Sequence, residues 1–260
     1  MDFTLINNLQ ICSLVAREVT MEVNLENKKV IIIGATDVLG YTCAEVLASE
    51  GCSLALVDPD MAALKAVTTQ LREGHDGITI TSHAGDVSDP VWQKSVREVI
   101  DPVDLIVFNW TRFAFDSENI SARSKTAIDI SPVSLKDLRR VSSIFEFCSQ
   151  LVAAMGERKA SGVLVTLLGS MSYAVANRKK DLSVLESEFW PTLFSAGRSF
   201  TESIGKSSKN PARSVAIEVD GVVSETGDAT EFEIQVADVV AFMLSERSAA
   251  ISGSTIMVEQ

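Results

Sequence analysis

The sequence predicts an α/β protein: a single domain doubly wound around a mainly parallel seven-stranded sheet. Short β-branched apolar runs alternate with helix-length stretches, the first run ends at Gly34, and 46% of residues are hydrophobic. Alternation of that kind implies right-handed strand–helix–strand units with helices on both sheet faces. Val30–Ile33 is a continuous apolar run, as expected of a strand buried on both sides. A helix is expected from Gly40 to about Glu50, then a strand at Leu54–Val57 stopping at Asp58. Asp60 suits the N-cap of a helix reaching about Leu71. Ile78–Ile80 reads as a third strand, Val91–Ile100 as a helix and Leu105–Phe108 as a fourth strand. A long helix over about Ser134–Met155 leads to a fifth strand at Val163–Leu168. A helix near Thr192–Lys206, a strand at Val215–Val219, a helix at Val236–Leu244 and a strand at Ile256–Val258 complete the order.

The length of 260 residues fits one large domain, assigned to 28–260, with 1–27 as an N-terminal extension. Within that extension Met21 is a candidate initiator, and Asp2, Asn7, Asn8 and Gln10 interrupt any signal-peptide pattern. The net charge of −12, from 23 basic and 35 acidic residues, disfavours nucleic-acid and membrane partners. Cys12, Cys43, Cys52 and Cys148 have no metal-ligand spacing and read as free thiols, which points to a reducing cytoplasm. His75 and His83 lie beside turn residues and read as surface positions, with no Ser-His-Asp set and no metal cluster.

The segment Gly34-Ala-Thr-Asp-Val-Leu-Gly40 falls between the first strand and first helix, where a dinucleotide fingerprint belongs. Gly34 allows the tight turn and Gly40 a close helix–strand approach, and Asp58 stands 24 residues on, where an acidic group can accept from a ribose hydroxyl. With these residues the chain resembles the short-chain dehydrogenase/reductase family from Lys29 to Val258. Lys29–Ala35 is similar to the family's first strand and turn, and Leu56-Val57-Asp58 to its second-strand end. Gly85-Asp86-Val87 is similar to the segment whose aspartate contacts adenine, and Val107-Phe108-Asn109-Trp110 to the fourth-strand end. Gly169-Ser170 stands where the family has its catalytic serine, and Ser252–Glu259 resembles the last strand. The resemblance implies a Rossmann-type fold that binds NAD(P) and moves a hydride between nicotinamide and an alcohol or ketone carbon. Gly34, Gly40, Asp58, Asp86 and Asn109 would be its cofactor-binding residues.

The departures from that family are at its working positions. Counted back from Thr201, the family's tyrosine falls on Trp190 and its lysine on Phe194, and the supporting asparagine on Phe145. Indole is a donor only, and a benzyl side chain supplies no ammonium. Of four catalytic positions, Ser170 alone keeps its family residue. Tyr41 follows the fingerprint too closely to serve, whereas Tyr173 with Lys179 or Lys180 forms a rearranged acid/base alternative. Val38 replaces the fingerprint's second glycine, and would be strained at a positive φ. Trp110 replaces a small residue, either protruding into the cofactor cleft or filling a vacant site as core. These changes predict no bound cofactor, with weak NAD binding through Asp58 and Asp86 as the alternative. The acidic Val222–Glu233 segment is too short for a substrate lid before a helix near Gln235.

On the Ser134–Met155 helix, Leu138, Val141, Phe145, Cys148, Val152 and Met155 form one apolar stripe; Ile144, Phe147, Leu151 and Ala154 form a second. The combined arc of roughly 200° exceeds what one sheet face needs. In the family this helix and the Trp190–Lys206 helix pair with a second subunit, and Ser195, Ala196, Gly197, Ser199 and Ser203 are small enough for close approach. The expected function is a catalytically silent subunit assembled with an active paralogue in a heteromeric NAD-dependent alcohol dehydrogenase. Two alternatives stand: an active oxidoreductase using Ser170 and Tyr173, or a nucleotide-sensing regulator.

Overall fold

The computed structural model describes residues 23–114, 135–158, 162–170, 184–207, 212–221 and 229–260, with backbone alone at 113–114, 135–138 and 184–191. Seven parallel strands lie in the order β3-β2-β1-β4-β5-β6-β7. They are β1 (Lys29–Ile33), β2 (Ser53–Asp58), β3 (Ile80–Ala84), β4 (Leu105–Asn109), β5 (Val163–Gly169), β6 (Arg213–Asp220) and β7 (Ser254–Glu259). The helices are α1 (Val38–Ser49), α2 (Met61–Gly74), α3 (Pro90–Ile100), α4 (Trp110–Ala114), α5 (Leu135–Glu157), α6 (Val184–Gly205) and α7 (Glu231–Leu244). The order reverses between β1 and β4, which creates the crevice at the strands' C-terminal ends where such folds bind ligands.

Period-two alternation along each strand divides the core into two layers. Val30, Ile32, Leu54, Leu56, Val107 and Val165 face α1, α2 and α7. Ile31, Ile33, Val57, Ile106, Phe108 and Leu164 face α3, α5 and α6. Both layers are apolar, so β1 and β4 read as continuous hydrophobic runs.

The expected strands and helices are all present, with shifted ends. β3 runs over 80–84 rather than 78–80. It is an edge strand paired only with β2, so its outer positions tolerate the polar Ser82 and His83 that obscure it in the sequence. Asp60 caps α2 as expected, accepting from the Ala62 and Ala63 amides at 3.0 Å each. α7 starts at Glu231 rather than near Gln235, because Thr230 and Glu233 form a capping box. The short α4 was not expected, and α6 begins eight residues earlier than its apolar pattern suggests. His75 and His83 are half-buried rather than surface residues. His75 closes α2 and its Nε2 lies 2.9 Å from Glu45 Oε1, while burial and Lys29 lower the His83 pKa.

The wide apolar arc of α5 is covered by this chain itself. Ile144, Phe147, Cys148, Leu151, Val152 and Met155 are all buried. α3 supplies the second wall: Trp92 packs on Phe147 with ring centroids 6.0 Å apart, and Gln93 Nε2 donates to the Ser143 carbonyl at 2.9 Å. Val141, Phe145 and Ala154 on the same arc are half-buried. What α5 leaves exposed is Arg139, Ser142, Glu146, Ser149, Ala153 and Glu157.

Gly40 is the tightest point between α1 and β1. A Cβ there would lie 2.0 Å from the Gly34 carbonyl oxygen and 2.9 Å from the Ala35 Cα, backbone atoms that cannot step aside. Gly40→Ala is therefore expected to destabilise the chain by about 3 kcal/mol or more, read as a lower urea midpoint; an unchanged midpoint would contradict this packing.

Candidate functional site

The C-terminal ends of β1, β2 and β4 meet at the fingerprint turn. Gly34 adopts a φ of +87°, which the tight turn requires. Its N–H donates to the Val57 carbonyl at 2.8 Å. Asp37 is the N-cap of α1, and its Oδ1 accepts from the Gly40 amide at 2.8 Å. The same oxygen accepts from Asn109 Nδ2 at 2.7 Å, and Asn109 Nδ2 also donates to the Gly34 carbonyl at 3.1 Å. Thr111 Oγ1 lies 2.5 Å from Asn109 Oδ1 and 3.4 Å from Asp37 Oδ2. Asn109 and Thr111 are fully buried. Burial raises the Asp37 pKa to about 6; the Gly40 amide, Arg112 and Asn109 oppose that rise, and the Asp58 charge adds to it.

Asp58, at the tip of β2, is fully buried. Its Oδ1 accepts from the Asp60 amide at 3.0 Å and from Arg112 Nη2 at 3.3 Å. Its Oδ2 accepts from the Thr36 amide and from Arg112 Nε, both at 3.3 Å. Four donors thus meet the roughly four acceptor positions of a carboxylate. No lone pair is left for a ribose hydroxyl, so the residues present do not fit a dinucleotide in the way their sequence positions suggest. Asp86 is exposed and turns its Oδ1 onto the Ser88 amide and hydroxyl, each at 2.8 Å. Val38 is not at a positive φ; it is the first residue of α1.

At the expected catalytic position, Ser170 is buried and its Oγ donates to Asp220 Oδ1 at 2.7 Å. Aromatic rings cluster in the core layer that faces α3, α5 and α6. Trp110, 1% exposed, stacks on Phe145 with centroids 5.2 Å apart and meets Phe108 edge-on at 5.4 Å. Phe145 in turn stacks on Phe200 at 4.3 Å, and Phe194 is buried in the same layer. Trp110 is therefore core filler rather than a ring protruding into the cleft. Its Nε1 has no hydrogen-bond partner, which is the polar cost of that filling. Trp190 lies on α6 with its side chain outside the described residues; Tyr173, Lys179, Lys180 and Cys12 lie outside them altogether. Cys43, Cys52 and Cys148 are buried free thiols, and burial pushes Cys52 up to about 12 and the other two higher still. Among the described residues no group of His, Cys, Asp and Glu could hold a metal ion, and no helix is long and apolar enough to cross a membrane.

The sequence matches the short chain dehydrogenase family over residues 28–176, more than half of the chain. The chain belongs to the short chain dehydrogenase family. No curated protein matches it closely. Among solved structures, the L-sorbose reductase of Gluconobacter frateurii, complexed with NADPH and L-sorbose, is similar at a TM-score of 0.66 and 18% identity. That match covers 92% of this chain and 97% of the reductase. A short-chain type dehydrogenase/reductase of Mycobacterium marinum gives 0.69 and 16%, covering 92% and 96%. The hydroxysteroid dehydrogenase of Escherichia coli gives 0.65 and 17%, covering 92% and 97%. At these identities the likeness establishes the fold.

Within the short chain dehydrogenase fold, the structure brings Gly34, Gly40, Asp58 and Asn109 together as the sequence suggests, and leaves Asp86 facing solvent. Sequence reasoning missed Asp37, Thr111, Arg112 and Asp220. Of these, Asp37 had a visible signal: a carboxylate inside a fingerprint that should face phosphates. Because the folded-state pKa of Asp37 lies above its ordinary 3.8, the native chain holds this proton more tightly than the unfolded one. Its contribution to stability is greatest below about pH 4 and is lost as pH rises through about 6. Asp37→Asn should remove that dependence, so the urea midpoints of wild type and variant should diverge from pH 4 to 6.5 in the variant's favour; parallel profiles would contradict the assignment.

Proposed function

We propose that this chain is a catalytically silent member of its family that assembles with a paralogue retaining the tyrosine and lysine, forming a heteromeric alcohol dehydrogenase. The observation that carries this reading is that Phe145 and Phe194, which stand at the family's asparagine and lysine positions, lie in one apolar layer with Trp110 and Phe200. Apolar rings there can neither donate nor accept a proton, and their mutual packing leaves the region serving the core. Ser170 Oγ donates to Asp220 Oδ1 at 2.7 Å.

The outer faces of α5 and α6 support a partner. Thr192, Ser195, Ser199 and Ser203 are exposed along α6 at helical spacing, and Ser142, Ser149 and Ala153 along α5. Side chains this small permit helices to approach closely without a large apolar patch that would endanger the free chain. The assembly envisaged is similar in kind to the heterotetrameric 2-(hydroxy-phenyl-methyl)succinyl-CoA dehydrogenase of anaerobic toluene degradation, which pairs an active with an inactive short-chain subunit.

Co-expression with a tyrosine- and lysine-containing homologue from the same genome should yield a complex of fixed stoichiometry, and the isolated chain should show no NAD(P)-dependent turnover of alcohols or ketones. Ser199→Arg, at the centre of the exposed α6 stripe, should abolish co-purification while leaving the circular dichroism of the chain unchanged. Turnover by the isolated chain that Tyr173→Phe abolishes would replace this reading with that of an active oxidoreductase.

A further inference from the structure

We propose that this chain has closed its dinucleotide crevice with its own side chains, Asp37 standing in for the pyrophosphate and Arg112 lying where the adenosine ribose would meet Asp58. The amides at the start of a helix that follows a glycine turn are the fold's anion-binding device. Here one of them already holds an anion, since the Gly40 N–H donates to Asp37 Oδ1 at 2.8 Å. Asn109 Nδ2, at 2.7 Å from the same oxygen, fixes that carboxylate from β4, and Thr111 flanks its other oxygen. An incoming pyrophosphate would add negative charge against Asp37 and have to displace a carboxylate anchored from two elements.

The ribose end is closed in a complementary way. Arg112 Nε and Nη2 span the two oxygens of Asp58, whose remaining acceptor positions are taken by the Thr36 and Asp60 amides. The Arg112 stem also lies over the glycine turn. A Cβ on Gly34 would come within 3.0 Å of Arg112 Cβ, so the space that lets a ligand approach that backbone is occupied. α4 carries Arg112 to this position by starting directly after Asn109. The same side chain reaches Thr36 Oγ1 at 3.3 Å, tying α4 to the fingerprint turn on a second side. The result is a crevice whose polar groups are satisfied without any cofactor, so the chain can fold and assemble independently of nicotinamide supply.

The test is NADH binding by the isolated full chain, read by fluorescence enhancement of the nicotinamide and by thermal shift. Wild type should show no melting shift at millimolar NADH. A variant carrying Asp37→Ser and Arg112→Ala should bind NADH at least about tenfold more tightly, a gain of about 1.4 kcal/mol, and melt higher as NADH is added. Asp37→Ser alone keeps the Arg112–Asp58 pair intact and should show a smaller gain, which covers the case in which the double variant fails to fold. Low-micromolar NADH binding by wild type would overturn the proposal, as would folded variants that bind no better than wild type. Neither result bears on assembly with an active homologue, which the co-purification experiment reads separately.

Discussion

Two neighbouring carboxylates, Asp58 fully buried at the tip of β2 and Asp37 half-buried at the N-cap of α1, set the terms for this end of the molecule. Asp37 and Asp58 sit close enough for the charge of one to raise the pKa of the other. Buried charge is tolerable only when it is paired and hydrogen-bonded. The β1–α1 turn supplies the Gly40 and Thr36 amides, and the segment after β4 supplies Asn109, Thr111 and Arg112. The position of α4, the inward turn of Asn109 and the orientation of Arg112 follow from that requirement. A side chain without an acceptor at position 37 would leave the Gly40 amide at the α1 N-terminus needing another partner.

Beyond the end of β4 the packing is apolar rather than ionic. Phe108, Trp110, Phe145 and Phe200 come from β4, α4, α5 and α6, and their rings run in sequence from the sheet outwards. Stacked and edge-on rings bury a large area with few rotatable bonds. Among the described residues, the Trp110 indole N–H in this cluster is buried without a partner. The two regions are held by different physics: charge pairing at the β1–α1 turn, aromatic packing between β4, α4, α5 and α6.

Much of the architecture was legible because it rests on local signals. Continuous apolar runs at Val30–Ile33 and Leu105–Phe108 can only be strands buried on both faces, and Asp60 announced its helix by cap chemistry. β3 was less legible because an edge strand need not be apolar throughout, and the early start of α7 depended on a reciprocal Thr230–Glu233 cap that an apolar-periodicity search passes over. The substitutions at 145, 190 and 194 were visible by counting from the family pattern. The fate of Asp58 was not. Its sequence position says ligand, and only the placement of Arg112, 54 residues away on a five-residue helix, turns it into one half of an internal pair. How much of α5 its own chain covers was not legible for a similar reason, because periodicity measures how wide an apolar face is and not how many neighbours share it.

The Arg112–Asp58 pair has a consequence for how such a chain can change over generations. Removing the guanidinium alone strands a buried carboxylate, and removing the carboxylate alone strands a half-buried cation, each step costing several kcal/mol by the usual measure of broken buried pairs. A lineage changing both positions would have to cross that valley one step at a time. The pair thus behaves as a ratchet: once it had formed, neither member could be exchanged alone without a cost that keeping both avoids.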